Sequence, residues 1–338
     1  MDSITQAALG AAVGEAVLGK KMGYKAAVWG AVLGTVPDLD IIINPFVDTV
    51  VELRTHRGFT HSITFCILAS PVFGWLIQKF HKDPETSWRN WTTLAFLVFF
   101  THILIDLPTT YGTQALYPFT NTPFAFDSIF IIDPIFTLPL LIGIVTAQFL
   151  HRTSKARRIT NYAGLLISSL YMIWAFGIKS HVHSVYTSSF ENQYGYYDEI
   201  KTMPNGPTTF LWIGYVMKTD TIYQSVYSIF DESQELEFRA IPRNSHLIEP
   251  YKEDRALETL LWFSRGYYAA RQENGDLIFY DIRFGRSDLW LNDDGEFVWR
   301  NKIVFDEDGE AYTFEQSTPA FDTRSKILSR FWNRIWGE

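Results

Sequence analysis

The chain has almost no cysteine and no block of basic residues. Its one cysteine, Cys66, lies inside an apolar run, which excludes a disulfide framework and a cysteine-based metal site. The formal net charge is −8, and an acidic chain without a basic patch argues against nucleic acid as a partner. The zinc-protease motif HExxH is absent from the sequence, which disfavours intramembrane proteolysis of that type.

Charged residues are also scarce in the first half of the chain. Residues 1–180 hold 13 basic and 11 acidic residues, whereas residues 181–338 hold 16 and 26. A charge-poor half followed by an acidic, charge-rich half is typical of a membrane domain joined to a soluble one. We therefore expect an α-helical membrane domain at 1–180 and a soluble α+β domain at 181–338.

Several apolar runs approach the roughly 20 residues that a membrane-spanning helix needs. They are 59–78, 91–107, 129–150 and 161–179. Two weaker segments, 4–19 and 26–36, are rich in alanine and glycine, and Gly10 and Gly14 have the spacing that lets helices pack closely. These two segments are expected to form a hairpin of short or partly inserted helices, which gives five or six membrane helices.

Basic residues occur in three loops that alternate with the apolar segments. They are Lys20, Lys21 and Lys25, then Lys79, Lys82 and Arg89, then Arg152, Lys155, Arg157 and Arg158. Because basic loops stay in the cytoplasm, the chain is predicted to be a multi-pass protein of the cell (inner) membrane. Loops 37–58 and 108–128 and the domain at 181–338 would then lie on the extracytoplasmic side, with Arg54 and Arg57 as exceptions to the rule.

Short runs of β-branched and aromatic residues follow residue 181, for example QSVYSIF and DLIFYDIRFG. Asn-Gly or Asp-Gly pairs separate these runs at 205–206, 274–275, 294–295 and 308–309, and such pairs favour antiparallel hairpins. Residues 251–265 have a helical pattern. The segment 325–336 is amphipathic, so we expect it either to lie on the membrane surface or to pack on its own domain.

Three motifs place ionisable side chains at the ends of apolar segments. PDLD at 37–40 follows the second segment, HRGFTHS at 56–62 enters the third, and HILID at 102–106 ends the fourth. The orientation set by the basic loops brings all three motifs to the outer face. Since ionisable groups in membrane segments usually face a protein interior or a water-filled cavity, the motifs predict one common site.

The side chains of these motifs suit a divalent metal ion. His102 and Asp106 are four residues apart and share a helix face, and His56 and His61 can converge across the turn at Gly58. Imidazole and carboxylate ligands fit Zn²⁺ best, with Mn²⁺ or Fe as alternatives and one or two ions. The predicted metal ligands are Asp38, Asp40, His56, His61, His102 and Asp106.

Three of the motif residues are candidates for chemistry. A bound ion lowers the pKa of water and supplies hydroxide, and Asp38 or Asp106 could accept the proton of that water. The planar guanidinium of Arg57 could neutralise an anionic oxygen of the substrate.

Other polar residues are expected to contact the ligands without binding the metal. Thr60 is predicted to be the N-cap of the third helix, and Thr60, Ser62 and Asp133 are expected to be partners of the ligands. His181 and His183, predicted to lie just past the end of the sixth helix, are weaker candidates for the site.

The N-terminal segment and the three motifs together resemble those of a known protein family. The opening MDSITQAALGAAVGEAVLG with PDLD, HRGFTHS and THILIDLPTTYGTQALYPF resembles the YdjM-like membrane-bound metal-dependent hydrolases over about residues 1–180. HLIEPY, LLWFSRGYYA and DIRFG are also similar to the extra domain of one branch of that family.

The resemblance implies hydrolysis by a bound metal in the membrane. It carries the polar signature of the family onto Asp38, Asp40, His56, Arg57, His61, His102 and Asp106. The family pattern has a histidine where this chain has Gln6. The site is therefore expected to have one ligand fewer, or to use Gln6 or Glu15 as a polar neighbour.

Three functions follow from these observations. The first is a metal-dependent hydrolase that acts on an anionic, phosphoester or lipid-like substrate at the boundary of the lipid bilayer. The second is a non-enzymatic anchor or scaffold whose soluble domain binds a partner and whose polar motifs serve only helix packing. Metal transport is a weaker third, because the fifth and sixth helices carry almost no ionisable residues in their middles.

Overall fold

The computed structural model describes residues 1–81, 84–290, 295–319 and 325–337, without the side chains of 325–328. The chain forms two compact units. The helical unit contains residues 1–42 and 55–176, and the C-terminal unit contains residues 43–54 and 177–338. The short segment 43–54 thus belongs to the C-terminal unit, although the PDLD and HRGFTHS motifs on either side of it belong to the helical unit.

The helical unit begins with a tightly packed hairpin. Helix α1 (Ser3–Met22) is followed by α2 (Tyr24–Thr35), and Gly23 joins them with a φ of +57° that favours glycine. A Cβ on Gly10 would lie 2.2 Å from the carbonyl oxygen of Gly30, so the two backbones touch along a face of small residues. The predicted hairpin of segments 4–19 and 26–36 is confirmed.

The remaining predicted segments are helices as well. The predicted loop 37–58 instead contains a 3₁₀ helix (Pro37–Phe46) and α3 Thr49–Thr55. A short 3₁₀ turn (Phe59–His61) then leads to the predicted helices, which are α4 Ile63–Phe80, α5 Trp88–Asp106, α6 Pro134–Gln148 and α7 Lys155–Tyr194. Two boundaries differ from the predictions. Ser62 rather than Thr60 is the N-cap of α4, because its side chain accepts the Phe65 amide at 3.1 Å. Helix α7 continues to Tyr194, since neither proline nor glycine interrupts it after Gly177.

Among the described residues, α4 and α7 are long and apolar enough to cross a membrane by themselves. Helix α2 and the 3₁₀ helix Pro37–Phe46 meet at a bend of 42° and would be a third crossing if they form one broken span, while α6 is apolar but shorter. Helices α1 and α5 are largely buried inside the unit, so they need less apolar surface than a helix that faces lipid. The total number of crossings stays a prediction.

The C-terminal unit contains two four-stranded antiparallel sheets, each with its strands in chain order. The first is β1 Glu199–Pro204, β2 Leu211–Lys218, β3 Thr221–Ser228 and β4 Arg239–Pro242, and the second is β5 Tyr268–Glu273, β6 Asp276–Arg286, β7 Phe297–Phe305 and β8 Ala311–Ser317. Asn274-Gly275 forms the predicted two-residue turn, in which Glu273 pairs with Asp276. The predicted turn at 294–295 falls partly outside the described residues.

The core of this unit forms on both faces of the first sheet. Strand β2 is buried along its first six residues, because its side chains alternate between two partners. Trp212 packs with Tyr186 of α7, whereas Ile213 and Tyr215 pack with Tyr267 just before the second sheet. The predicted α+β fold rich in antiparallel hairpins is confirmed.

Two further helices lie in this unit, α8 (Arg255–Ser264) and α9 (Ser325–Ile335). The carbonyl of Ile335 accepts the Ser228 hydroxyl at 2.6 Å, Arg334 pairs with Asp231 at 2.6 Å, and Trp336 stacks on Phe230. These contacts agree with packing of the terminal helix on its own domain, which was one of the two expectations. A surface position on the membrane stays a prediction.

Candidate metal centre

The structure brings four of the predicted ligands together inside the helical unit. Asp38 lies in the 3₁₀ helix that follows α2, His61 ends the short 3₁₀ turn before α4, and His102 and Asp106 are one turn apart at the end of α5. One ligand atom from each side chain lies within 4.8 Å of all the others. The side chains of His61, His102 and Asp106 are at most 1% exposed, and that of Asp38 is 24% exposed.

The imidazoles of His61 and His102 direct their Nε2 atoms toward each other. The Nδ1 atom of His102 lies 2.8 Å from the carbonyl oxygen of Gly34 and therefore carries a proton. The Nδ1 atom of His61 lies 3.1 Å from the Thr60 hydroxyl and 3.5 Å from Asp40. The two Nε2 atoms are 3.2 Å apart. When both rings are neutral with Nδ1 protonated, two lone pairs converge, and a cation beside them stabilises this arrangement.

The two carboxylates face the same point as the imidazoles. Asp38 Oδ1 lies 3.2 Å from His61 Nε2, and Asp106 Oδ2 lies 3.4 Å from His102 Nε2. In the described part of the chain, Asp38 Oδ2, Asp106 Oδ2 and Gln6 Oε1 are buried oxygens without a hydrogen-bond partner. Buried acceptors that lack a donor are costly, so this donor-poor cluster fits a divalent cation.

Asp106 is surrounded by donors on the side away from the imidazoles. Gln6 Nε2 donates to its Oδ1 at 3.0 Å, the backbone nitrogen of Met1 also donates to it, and a guanidinium nitrogen of Arg57 lies 3.8 Å away. Gln6 is thus the polar neighbour that the family pattern suggested. Glu15 is not, because it forms a buried two-point ion pair with Arg157.

Asp40 and His56 form a pair behind His61, outside the group of four. Asp40 Oδ1 lies 3.1 Å from His56 Nδ1, while its Oδ2 accepts the backbone amide of Arg57 at 2.9 Å. That same Oδ2 faces His61 Nδ1 at 3.5 Å. A carboxylate behind the second nitrogen of a metal-binding histidine fixes the tautomer and the orientation of the ring. This geometry favours a supporting role for Asp40, and its predicted role as a ligand stays untested.

Arg57 is buried rather than open to solvent. It has a φ of +56°, a left-handed conformation that is uncommon for residues with a side chain. Its guanidinium donates to Thr109 at 3.1 Å and lies over the ring of Tyr111 at 5.0 Å. Thr109 and Tyr111 were not predicted from the sequence, although both lie within five residues of Asp106 in the segment PTTYG.

The other predicted supporting residues lie at various distances from this cluster. Ser62 caps α4, and Thr60 contacts His61. Asp133 caps α6 and accepts the hydroxyl of Tyr171 at 2.8 Å, so its predicted role toward the ligands stays a prediction. His181 and His183 are exposed positions within α7, which corrects their predicted place beyond the end of a helix.

A buried His–Asp cluster among apolar helices defines a membrane protein with a group of residues that could hold a metal ion. The family model of the YdjM inner membrane proteins matches residues 1–182. The chain therefore belongs to the YdjM inner membrane protein family.

One curated relative adds a second similarity. The uncharacterized protein YfhP of Bacillus subtilis (strain 168) is 31% identical over 144 residues. The match covers 40% of this chain and 42% of YfhP, so the chain spans less than half the length of that relative. No solved structure matches the chain.

Proposed function

We propose that the helical unit is a metal-dependent hydrolase that holds one divalent ion between Asp38, His61, His102 and Asp106. The observation that supports this proposal is the convergence of two imidazole nitrogens and two carboxylates within 4.8 Å, with buried oxygens that lack donors. Two nitrogen and two oxygen ligands suit Zn²⁺, and Mn²⁺ or Fe are alternatives. When bound, such an ion acts as a Lewis acid and lowers the pKa of water near it.

The different exposure of the two acidic ligands supports different roles for them. Asp106 is fully buried and is contacted by Gln6 and Arg57, so its charge is compensated and water cannot reach it. The Asp38 side chain is 24% exposed, so water can reach this residue, although its Oδ2 is itself buried and has no hydrogen-bond partner in the described residues. Asp38 is therefore the general base, which takes a proton from water and returns it to the leaving group.

The apolar surroundings of Asp38 favour a substrate with an apolar part. Its neighbours Leu39, Ile41 and Ile42 are 50%, 53% and 61% exposed. Exposed apolar side chains of this size mark contact with lipid or with an apolar ligand. An anionic amphiphile, such as a phosphoester lipid, would place its head group at Asp38 while its chain contacts these residues. The extracytoplasmic side of the membrane is the proposed side of reaction.

The buried position of Arg57 suggests a role through Asp106. Its guanidinium lies 3.8 Å from Asp106 and is held by Thr109, so it compensates the charge of a ligand. Direct contact of Arg57 with an anionic substrate remains the alternative, because its Nε is buried without a partner in the described chain.

The test combines metal content with activity. The full-length protein is purified in detergent, its zinc, manganese and iron are quantified by mass spectrometry, and release of phosphate from phosphatidic acid and from p-nitrophenyl phosphate is measured. We expect about one ion in the wild type and loss of that ion in the double variant His61→Ala/His102→Ala. Asp38→Asn should bind the ion more weakly, because it loses one ligand, and it should stay inactive at a zinc concentration that restores its metal content. His246→Ala, at an exposed position of the C-terminal unit, is the control.

Equal metal content in the wild type and the double histidine variant would refute the metal site. A metal-loaded wild type that hydrolyses neither substrate would refute the proposed phosphoester chemistry and favour the anchor function.

A further inference from the structure

The segment between two of the ligand-bearing motifs belongs to the C-terminal unit. The chain leaves the helical unit after Ile42, two residues beyond Asp40, and returns to it at Thr55, one residue before His56. We call residues 43–54 the connecting loop. Because the connecting loop is covalently joined to the PDLD motif and to the HRGFTHS motif, the position of the loop affects both motifs.

Polar contacts attach the connecting loop to the C-terminal domain at three places. Asp48 pairs with Arg255 at the start of α8, at 2.8 Å. The hydroxyl of Thr49 donates to the carbonyl of Phe314 in β8 at 2.6 Å. Both contacts lie at the beginning of α3, where Asp48 also accepts the Val51 amide.

The third attachment is at the end of α3. Arg54 Nε donates to the hydroxyl of Thr259 at 2.7 Å, and the same guanidinium lies 3.2 Å from Glu258 and 5.5 Å from the centre of the Trp262 ring. Arg54 was an exception to the charge rule for membrane loops. Its partners on α8 explain why a basic residue occurs here.

The two ends of the loop meet next to the metal site. Asp40 before the loop contacts His56 after it, at 3.1 Å, and accepts the amide of Arg57. The Oδ2 atom that accepts this amide also faces His61 Nδ1, at 3.5 Å. A continuous series of contacts and covalent bonds thus connects Arg255 and Thr259 of α8 with the ring of His61.

We propose that the C-terminal domain positions the metal site through the connecting loop. Arg255 and Arg54 are positioning residues: they hold α3, which sets Asp40 and His56 against each other and thereby orients His61. This inference rests on the proposed metal site. It assigns a role to the C-terminal domain that neither the family membership nor the sequence pattern supplies.

The experiment measures zinc affinity and the visible spectrum of the cobalt-substituted full-length protein in detergent. The variants are Arg255→Ala, Asp48→Asn, their double variant, and the combination of Arg54→Ala with Arg255→Ala. Asn at position 48 keeps the acceptor for the Val51 amide. Arg300→Ala is the matched control, because Arg300 pairs with Glu273 in the same domain with a similar exposure of 31%, against 35% for Arg255.

We expect each single variant to weaken zinc binding up to about fivefold, the range of one half-exposed ion pair. The Asp48→Asn/Arg255→Ala double variant should bind zinc about as tightly as Arg255→Ala alone, because that single variant already lacks the ion pair with Asp48. Asp48→Asn alone should have the smaller effect, since it keeps the contacts of Arg255 with Tyr312. The Arg54/Arg255 combination should be about tenfold weaker or more, since hydrogen bonds to charged groups are lost as well. The cobalt spectrum of this combined variant should change, which a loss of domain stability alone would not cause. Arg255→Lys should bind zinc more tightly than Arg255→Ala does.

Two results would overturn the inference, and they differ in what else they refute. If the wild type binds zinc and the combined variant binds it within twofold, with an unchanged cobalt spectrum, only the positioning role fails. If the wild type itself binds neither zinc nor cobalt, the proposed metal site fails together with the inference. Thermal unfolding of each variant verifies that the proteins compared are folded.

Discussion

The variant Asp40→Asn distinguishes a supporting carboxylate from a metal ligand. Asp40 lies behind His61, with Oδ2 at 3.5 Å from Nδ1, and the Thr60 hydroxyl lies nearer to the same nitrogen at 3.1 Å. Loss of such a partner lowers metal affinity 10- to 100-fold. Because Thr60 still holds the ring, we expect the lower limit, about tenfold, which corresponds to about 1.4 kcal/mol.

The assay is a competitive zinc titration of the full-length protein against a chromophoric chelator. His61→Ala should lose more than 100-fold in affinity, since a ligand is removed together with its second contact. Asp308→Asn, at an exposed turn between β7 and β8, is the control and should match the wild type. If Asp40→Asn weakens zinc binding as much as His61→Ala does, Asp40 is a ligand and the proposed four-residue site is wrong. If it has no effect, the supporting role of Asp40 is wrong.

Three further predictions concern packing, a buried ion pair and the metal. Gly30→Ala should lower the free energy of unfolding by about 1–3 kcal/mol, because the added Cβ would lie 2.1 Å from the Gly10 carbonyl oxygen. Gly177→Ala, where no atom lies within 4 Å, should be neutral or stabilising, and equal effects of the two would contradict close packing of the hairpin. Glu15→Gln should cost about 3–5 kcal/mol, because the charge of Arg157 is left buried, and Glu15→Gln/Arg157→Met should recover part of this loss in the same thermal melts. Zinc at about 100 times its dissociation constant should stabilise the wild type against unfolding by about 2.7 kcal/mol. An equal stabilisation of His61→Ala/His102→Ala by zinc would show that the ion does not bind at these histidines.

The helices and hairpins were predictable because their signals are local. Apolar runs located α1, α2 and α4 to α7, and Asn274-Gly275 located a hairpin, since such a pair adopts the backbone of the tight turn. The end of α7 was predicted too early. The polar residues after Lys179 indicated a domain boundary there, whereas the helix continues and packs Tyr186 against the first sheet.

Four of the six predicted ligands form one cluster in the structure, but the sequence did not separate them from Asp40 and His56. The spacing of His102 and Asp106 on one helix places both on one face, and the structure has them in the same cluster. By contrast, the backbone carbonyl of Gly34 fixes the tautomer of His102, and a backbone acceptor leaves no mark in the sequence. Likewise, the separation of Asp38 from Asp40 depends on the 3₁₀ helix after α2, which no apolar period indicates.

The central claim is that one divalent ion is held by Asp38, His61, His102 and Asp106. An anomalous difference map of zinc-loaded crystals, measured at the zinc absorption edge, tests it most directly. The account predicts one strong peak at bonding distance from Nε2 of His61, Nε2 of His102 and the carboxylates of Asp38 and Asp106. A peak at Asp40 and His56 instead, or no peak in the helical unit, would contradict it.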